Sequence, residues 1–176
     1  MSNFIKRILL LISILSLLFI SNFNNIGLFE NITPEYAEFI NGNKMLIVWV
    51  GYIFQTVLLF ITMSFEVLVL FFAVRIILKK KEYVKVYVSP VLFSTLIVIA
   101  INTFLPKLLF PGPFDMEIFK AYTLLSPINI IKPFILCYFL YRKGILSKQI
   151  TDWLLIGGVY LLIAYLPSLL FIIFFF

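Results

Sequence analysis

The stretch FITMSFEVLVLFFAVRIILKKK, from Phe60 to Lys81, decides the fold class of this chain. It is an apolar run that contains one carboxylate, Glu66, and ends at three consecutive lysines. An apolar run bounded by basic residues is typical of a helix that crosses a bilayer and ends at its cytoplasmic surface. The stretch therefore predicts a membrane-spanning helix, and it raises the question of why a carboxylate lies inside it.

The composition of the whole chain also indicates a membrane protein. The residues are 63% hydrophobic and 12% charged, with a mean hydropathy of +1.13, which is outside the range of soluble globular domains. The single cysteine, Cys137, excludes an internal disulfide, and the absence of histidine removes the imidazole bases and zinc ligands. No glycine-rich nucleotide motif occurs either. We therefore expect a protein that is not an enzyme and that has no metal or other cofactor.

Five apolar segments are predicted as spans of a single membrane domain, residues 1–176. The spans are residues 8–20, 45–78, 86–105, 121–141 and 153–176, and the external loops are residues 21–44 and 106–120. The second segment would extend about 50 Å as a helix, which exceeds the ~30 Å of hydrocarbon, yet it contains no turn. It therefore predicts one unusually long helix. The first segment has the basic start of a signal peptide without the small residues of a cleavage site, so we expect a retained anchor.

The basic residues predict the orientation. With five spans, ten of the fourteen lysines and arginines fall on one side of the membrane. They are Lys6, Arg7, Arg75, Lys79, Lys80, Lys81, Lys85, Arg142, Lys143 and Lys148. The positive-inside rule then gives a cytoplasmic N-terminus and an external C-terminus.

Two interpretations of these basic residues stay open. They either set the topology alone or also bind anionic lipid headgroups. The candidates for lipid contact are Arg75, Lys79, Lys80, Lys81, Lys85, Arg142 and Lys143. Because the charges collect beside apolar runs, we expect a lipid partner and no nucleic acid.

Two ionisable residues, Glu66 and Lys132, are predicted at one depth inside the spans. On a helix, Glu66 lies about 14 Å before Arg75 and Lys132 about 15 Å before Arg142. An ion in hydrocarbon costs about 3 kcal/mol even on the insertion scale, so we expect the two to pair across the second and fourth segments or to share a polar cavity. The residues predicted to extend such a cavity are Gln55, Asn102, Ser126 and Asn129. The pair is interpreted as a structural lock, with a proton or ion path as the alternative.

Three stretches carry a resemblance to a known family. They are ITPEYAEFING, FFAVRIILKKKEYVKVYVSPVLFSTL and PINIIKPFILCYFLYRKGILSKQITDWLLIGGVYLLI. From about residue 32 to residue 166, their order resembles the Yip family, the Rab-GTPase-interacting membrane proteins and their bacterial relatives. Lys79-Lys80-Lys81 stands where a glycine pair is often found in that family. The resemblance implies a compact bacterial member with no catalytic residues.

The expected function follows from the topology and the resemblance. We expect an all-α, multi-pass protein of a prokaryotic cytoplasmic membrane that organises the membrane as a scaffold or accessory subunit. It would act through contacts with the bilayer, with other membrane proteins or with a second copy of itself. The alternative is a subunit of a small-solute or ion transporter or channel, with a polar path at Glu66 and Lys132. A continuous water route past that pair would distinguish the two.

Overall fold

The computed structural model describes residues 3–29, 34–109 and 127–175. Over these residues the fold is entirely helical, as predicted. The five helices are α1 (Asn3–Phe29), α2 (Pro34–Ile77), α3 (Lys85–Leu109), α4 (Pro127–Arg142) and α5 (Ile150–Phe175).

Within the described ranges, three helices are long and apolar enough to cross a membrane. The qualifying stretches are Phe4–Phe23 in α1, Gly42–Ile77 in α2 and Lys85–Leu105 in α3. The described part of α5 contributes a shorter apolar stretch, Ile150–Ile163. The length and composition of these helices agree with a helical membrane protein.

The second helix is unusually long, as the sequence predicts. It contains 44 residues and begins at Pro34, where the missing proline N–H interrupts no helical hydrogen bond. Asn43 alone departs from helical geometry, with φ −123° and ψ 17°. The residues from Pro34 to Gly42 are therefore helical as well, and they join the long helix across a one-residue break.

The first predicted external loop, residues 21–44, is largely helical. Helix α1 continues to Phe29 and α2 begins at Pro34, with residues 30–33 outside the described part. Each residue added to an existing helix gains a hydrogen bond without a new nucleation cost, which allows the helices to extend beyond the apolar segments. Of the second predicted loop, residues 106–120, the first four residues belong to α3, and the remainder lies outside the described residues.

The chain forms two compact units, each with its own packing. The first is Met1–Ile61 with Leu96–Thr123, and the second is Thr62–Thr95 with Leu124–Phe176. In the first unit, Ile14 and Leu18 of α1 and Val48 of α2 are buried. Phe19 lies 5.3 Å from Trp49 between ring centroids and makes an edge contact with Tyr52, so aromatic side chains join α1 to α2.

The second unit contains the larger apolar cluster. Along α2, Val67, Leu70 and Val74 are buried, and this spacing of three and four residues places them on one helix face. The cluster also takes in Ala73, Tyr87, Val91, Leu136, Cys137, Leu140, Ile145, Leu146, Ile156 and Tyr160. In a bilayer such contacts stabilise mainly through close packing, because lipid tails are as apolar as the side chains.

The turn after α4 is a Schellman motif. Gly144 has a φ of 74°, its N–H donates to the Tyr141 carbonyl at 2.8 Å, and the Ile145 N–H donates to the Leu140 carbonyl at 3.0 Å. This 6→1 and 5→2 pattern satisfies carbonyls at the helix end and favours glycine at the left-handed position. The turn therefore ends α4 at a defined residue and returns the chain towards α5.

The turn after α2 has a lysine where glycine is favoured. Lys79 adopts a φ of 53°, and a left-handed conformation costs a residue with a Cβ about 1–2 kcal/mol. We expect Lys79→Gly to raise the free energy of unfolding by about 0.5–1 kcal/mol, because relief of this strain exceeds the added entropy of the unfolded chain. Denaturant titration in detergent micelles would measure the change.

Lys81→Gly is the matched control for Lys79→Gly. Lys81 is exposed in the same turn and does not have a positive φ. Lys81→Gly removes the same charge as Lys79→Gly, so the two variants differ only in the backbone conformation of the substituted residue. We expect Lys81→Gly to lower stability slightly, and equal changes in the two variants would contradict the strain at Lys79.

Candidate functional site

The candidate site is an ion pair between α2 and α4 in the second unit. The Lys132 Nζ donates a hydrogen bond to the Glu66 Oε1 and forms an ion pair with it. The Glu66 side chain is 5% exposed and the Lys132 side chain 17% exposed. The structure therefore joins the two ionisable residues that the sequence places at one depth.

The register of the helices turns both side chains inward. Glu66 precedes Leu70 by four residues and lies on the same face of α2, which is buried. Lys132 precedes Leu136 by four residues and lies on the buried face of α4 that also carries Leu140. The charged residues thus follow the same 3.6-residue period as the apolar core.

The two charges of the pair neutralise each other, but the carboxylate is not fully hydrogen-bonded. A buried ion pair gains Coulomb energy that offsets much of the desolvation of both ions, and a charge is far more costly in hydrocarbon without its partner. However, the Glu66 Oε2 is buried and has no hydrogen-bond partner within the described residues. One half of the carboxylate therefore still has acceptor capacity.

Tyr160 of α5 is a site residue that sequence reasoning missed. It is 3% exposed, and its hydroxyl faces the Glu66 carboxylate. The hydroxyl is close enough to the carboxylate to interact with it electrostatically, although neither the hydroxyl nor Oε2 has a partner in full hydrogen-bond geometry among the residues that the structure describes. The sequence feature that could have identified Tyr160 is its position three residues after Gly157. This spacing places its polar group on a face of α5 suited to close helix contact.

Two of the four residues predicted to extend a polar cavity, Gln55 and Asn102, belong to the first unit. Gln55 accepts a hydrogen bond from the Asn22 Nδ2 at 2.9 Å. Gln55 precedes Glu66 by eleven residues, which is about 16 Å along a helix axis. Ser126 and the side chain of Asn129 lie outside the described residues.

A glycine makes room for the Asn22–Gln55 contact. A Cβ added at Gly51 would lie 3.2 Å from the Asn22 Oδ1, which is closer than ordinary packing. The Asn22 Nδ2 also donates to the Leu18 carbonyl at 3.0 Å. The Gln55 amide thus joins α1 to α2 and has a structural partner of its own.

Two of the predicted lipid-contact lysines hold the turns of the second unit together. Lys80 Nζ donates to the Ile145 carbonyl at 2.6 Å, and Lys143 Nζ donates to the Val86 carbonyl at 3.2 Å. Val86 precedes Pro90 by four residues, and proline has no N–H to donate to that carbonyl. Lys143 therefore satisfies a carbonyl that Pro90 leaves without its helical partner.

The other predicted lipid-contact residues are more accessible. The Arg75 guanidinium lies 5.6 Å from the Phe71 ring centroid, and the Lys85 Nζ lies 5.4 Å from the Tyr83 ring centroid. Lys79, Lys81 and Arg142 are at least partly exposed. Lys80 and Lys143 thus bond to backbone carbonyls, Arg75 and Lys85 lie over aromatic rings, and the remaining three side chains are exposed.

We compared the chain with protein-family models, with curated proteins and with solved structures, and none of the three comparisons finds a match.

Proposed function

We propose that this chain is a non-enzymatic, five-span protein of a prokaryotic cytoplasmic membrane, similar to the Yip family, with a cytoplasmic N-terminus. In this proposal it organises the membrane as a scaffold or accessory subunit, through contacts of its helices with lipid, with other membrane proteins or with a second copy. The observation that carries the proposal is the buried ion pair between Glu66 and Lys132.

The ion pair supports a structural role because each charge already has its counterion. The Lys132 ammonium is bonded to Glu66, so neither charge is freely available to bind a passing ion. An ion pair across two helices also favours one register between them, since any slip would separate opposite charges in a poorly solvating medium. A fixed arrangement of helices is what a scaffold requires of its membrane domain.

The surface of the helices supports contacts with lipid and with partner helices. Large exposed apolar side chains occur along α1 and α2, among them Phe4, Ile12, Leu46, Phe54 and Ile61. A surface of this kind suits the hydrocarbon of a bilayer or a neighbouring transmembrane helix.

The accessible basic residues suit an anionic membrane surface. Lys79 and Lys81 follow the end of α2, and Arg142 ends α4. A basic residue near an anionic surface contributes about 1 kcal/mol to the interaction. In the proposed orientation these residues lie at the cytoplasmic leaflet, where anionic lipids are the ligands we assign to them.

The second candidate function is a subunit of a small-solute or ion transporter or channel. The Glu66 Oε2 and the Tyr160 hydroxyl favour it, because both are buried polar atoms without a partner in the described residues, and ionisable groups inside a membrane often mark a transport path. A transporter needs a continuous water route past these groups, whereas a scaffold does not.

Cysteine labelling tests the proposal. Single cysteines are introduced along residues 58–74 of α2 and residues 131–140 of α4 in a Cys137→Ser background and treated with a water-soluble maleimide in native membranes. We expect no labelling within one helical turn of Glu66 or Lys132, because the pair is enclosed by apolar side chains. Labelling at these positions would overturn the scaffold proposal in favour of a transport path.

Two further positions complete the same experiment. Glu38 is exposed and Lys81 is accessible in its turn, and the two lie on opposite sides of the membrane in the proposed topology. In intact cells, Glu38→Cys should be labelled, whereas Lys81→Cys should react only after the membrane is opened. The reverse pattern would contradict the proposed orientation and leave the result at the ion pair unaffected.

A further inference from the structure

Gln55 is a polar residue on an accessible and otherwise apolar part of α2. It is exposed, and the neighbouring side chains of Phe54, Leu58 and Ile61 are 63%, 46% and 60% exposed. Its Oε1 accepts the hydrogen bond from the Asn22 Nδ2. The two hydrogens on the Gln55 Nε2 have no acceptor within the described residues. One half of this carboxamide therefore still has donors available.

The aromatic residues of α2 place the carboxamide below the membrane surface. Trp49 and Tyr52 contact each other and Phe19, and tryptophan and tyrosine are enriched at the membrane–water interface. Trp49 precedes Arg75 by about 39 Å on a helix, close to the ~40–45 Å of a bilayer with its interfacial regions. With Trp49 at the external interface and Arg75 at the cytoplasmic one, Gln55 lies about 9 Å deeper than Trp49, in the hydrocarbon.

A carboxamide exposed in hydrocarbon requires a polar partner. Lipid tails accept no hydrogen bond, and an unpaired polar group is costly in a medium without water. Amide side chains of membrane helices meet this requirement by hydrogen bonding across a helix–helix interface. The missing partner of Gln55 is therefore a second helix that carries an acceptor at the same depth.

We propose that Gln55 binds Gln55 of a second copy of this chain, so that the two α2 helices form a symmetric dimer. The inference deepens the proposed function, on which it rests, by naming a second copy as the partner of the membrane domain. In this dimer the Nε2 of each Gln55 donates to the Oε1 of the other. The Oε1 has two acceptor sites, so it also keeps the hydrogen bond from Asn22.

A second copy fits this surface because a carboxamide is complementary to itself. It carries a donor and an acceptor side by side, and a two-fold axis brings the same residue of both copies together. One residue thus supplies both hydrogen bonds, and its depth is the same in both copies. Leu58 lies about one turn from Gln55, and its exposed side chain packs beside the amides in such a dimer.

Disulfide cross-linking in native membranes tests the dimer. A single cysteine replaces Leu58 or Phe60 in the full chain with Cys137→Ser, and the membranes are treated with copper phenanthroline. The two residues are similarly exposed, by 46% and 42%. Around α2, however, Leu58 lies about 60° from Gln55, whereas Phe60 lies about 140° away in the opposite sense.

We expect Leu58→Cys to form several-fold more cross-linked dimer than Phe60→Cys. Equal yields would overturn the proposal, because collisions in the membrane do not distinguish the two faces. A Leu58→Cys product of a size other than the dimer would overturn it as well, since the partner would then be another protein. No product from either variant would mean that water or lipid headgroups satisfy the amide of a monomer, which also contradicts the dimer.

A dilution experiment measures the contribution of Gln55 itself. Chains with Glu38→Cys and Cys137→Ser are labelled with donor or acceptor dyes and reconstituted into liposomes at increasing ratios of lipid to protein. Energy transfer then reports the dimer. Gln55→Leu should raise the dissociation constant of the dimer by about tenfold or more, because both interhelical hydrogen bonds are lost. An unchanged constant would contradict the amide pair.

Asn22→Leu is the matched control for Gln55→Leu. Both variants remove the contact between Asn22 and Gln55, but only Asn22→Leu keeps the carboxamide at residue 55. We expect Asn22→Leu to change the dissociation constant little, and an equal loss in both variants would show that the dimer depends on the packing of α1 on α2 instead. None of these results affects the labelling near Glu66 and Lys132, which tests the proposed function separately.

Discussion

Replacing Glu66 with glutamine is expected to lower the free energy of unfolding by about 3–5 kcal/mol, the range measured when one partner of a buried ion pair is removed. The variant keeps the shape of the side chain but leaves the Lys132 ammonium without a counterion. The lysine side chain is only 17% exposed, so solvent can compensate little of the lost interaction. Denaturant titration in detergent micelles, followed by the fluorescence of Trp49 and Trp153, would measure the change.

The double variant Glu66→Leu with Lys132→Leu distinguishes the loss of the whole ion pair from the loss of one charge. Replacing a buried ion pair by apolar residues of similar size is often neutral or stabilising, so the double variant should recover much of the loss seen in Glu66→Gln. The matched control is Glu38→Gln, because Glu38 is exposed and its replacement should change stability by about 0.5 kcal/mol or less. A double variant less stable than both Glu66→Leu and Lys132→Leu would contradict the interpretation of the ion pair as a structural lock.

The helical fold and the long second helix could be predicted because both depend on local sequence. Between Met45 and Leu78 no glycine–proline or asparagine–glycine pair offers a turn, and a single helix satisfies the backbone hydrogen bonds within the segment itself in an apolar medium. The ends of the helices were harder to predict. Polar residues such as Asn22 weakly disfavour a helix, but the contact of Asn22 with Gln55, which no local pattern contains, stabilises it there.

The site could be predicted only in part, because some of its contacts join residues that are distant in the sequence. The number of residues from each to the basic end of its helix placed Glu66 and Lys132 at one depth in the membrane. The cost of a lone charge in hydrocarbon then favoured a pair between them. Tyr160 was missed because tyrosine is ordinary in a membrane span, and its role depends on how α5 is rotated about its axis. The hydrogen bond between Gln55 and Asn22 could not be predicted either, because it joins residues that are distant in the sequence.

The two adjacent glycines of α5 should differ sharply in what they tolerate. Gly157 is buried, and a Cβ there would lie 3.6 Å from the Cys137 Sγ and 4.0 Å from the Pro133 Cβ of α4. These are ordinary contact distances, so Gly157→Ala should be neutral or stabilising by up to about 1 kcal/mol, since alanine favours the helix. Gly157→Leu has no room against α4, and overpacking should lower the free energy of unfolding by about 3 kcal/mol.

Gly158→Leu is the matched control, because a Cβ at Gly158 meets nothing within 4 Å. It makes the same chemical change one residue along the same helix, so helix propensity and side-chain size cancel between the two variants. We expect its stability to equal or slightly exceed that of the original protein in the same denaturant titration. The difference between the leucine variants then measures the close packing of α4 on α5, which also positions Tyr160 opposite Glu66. Equal losses in both variants would mean that the helices are not packed through Gly157.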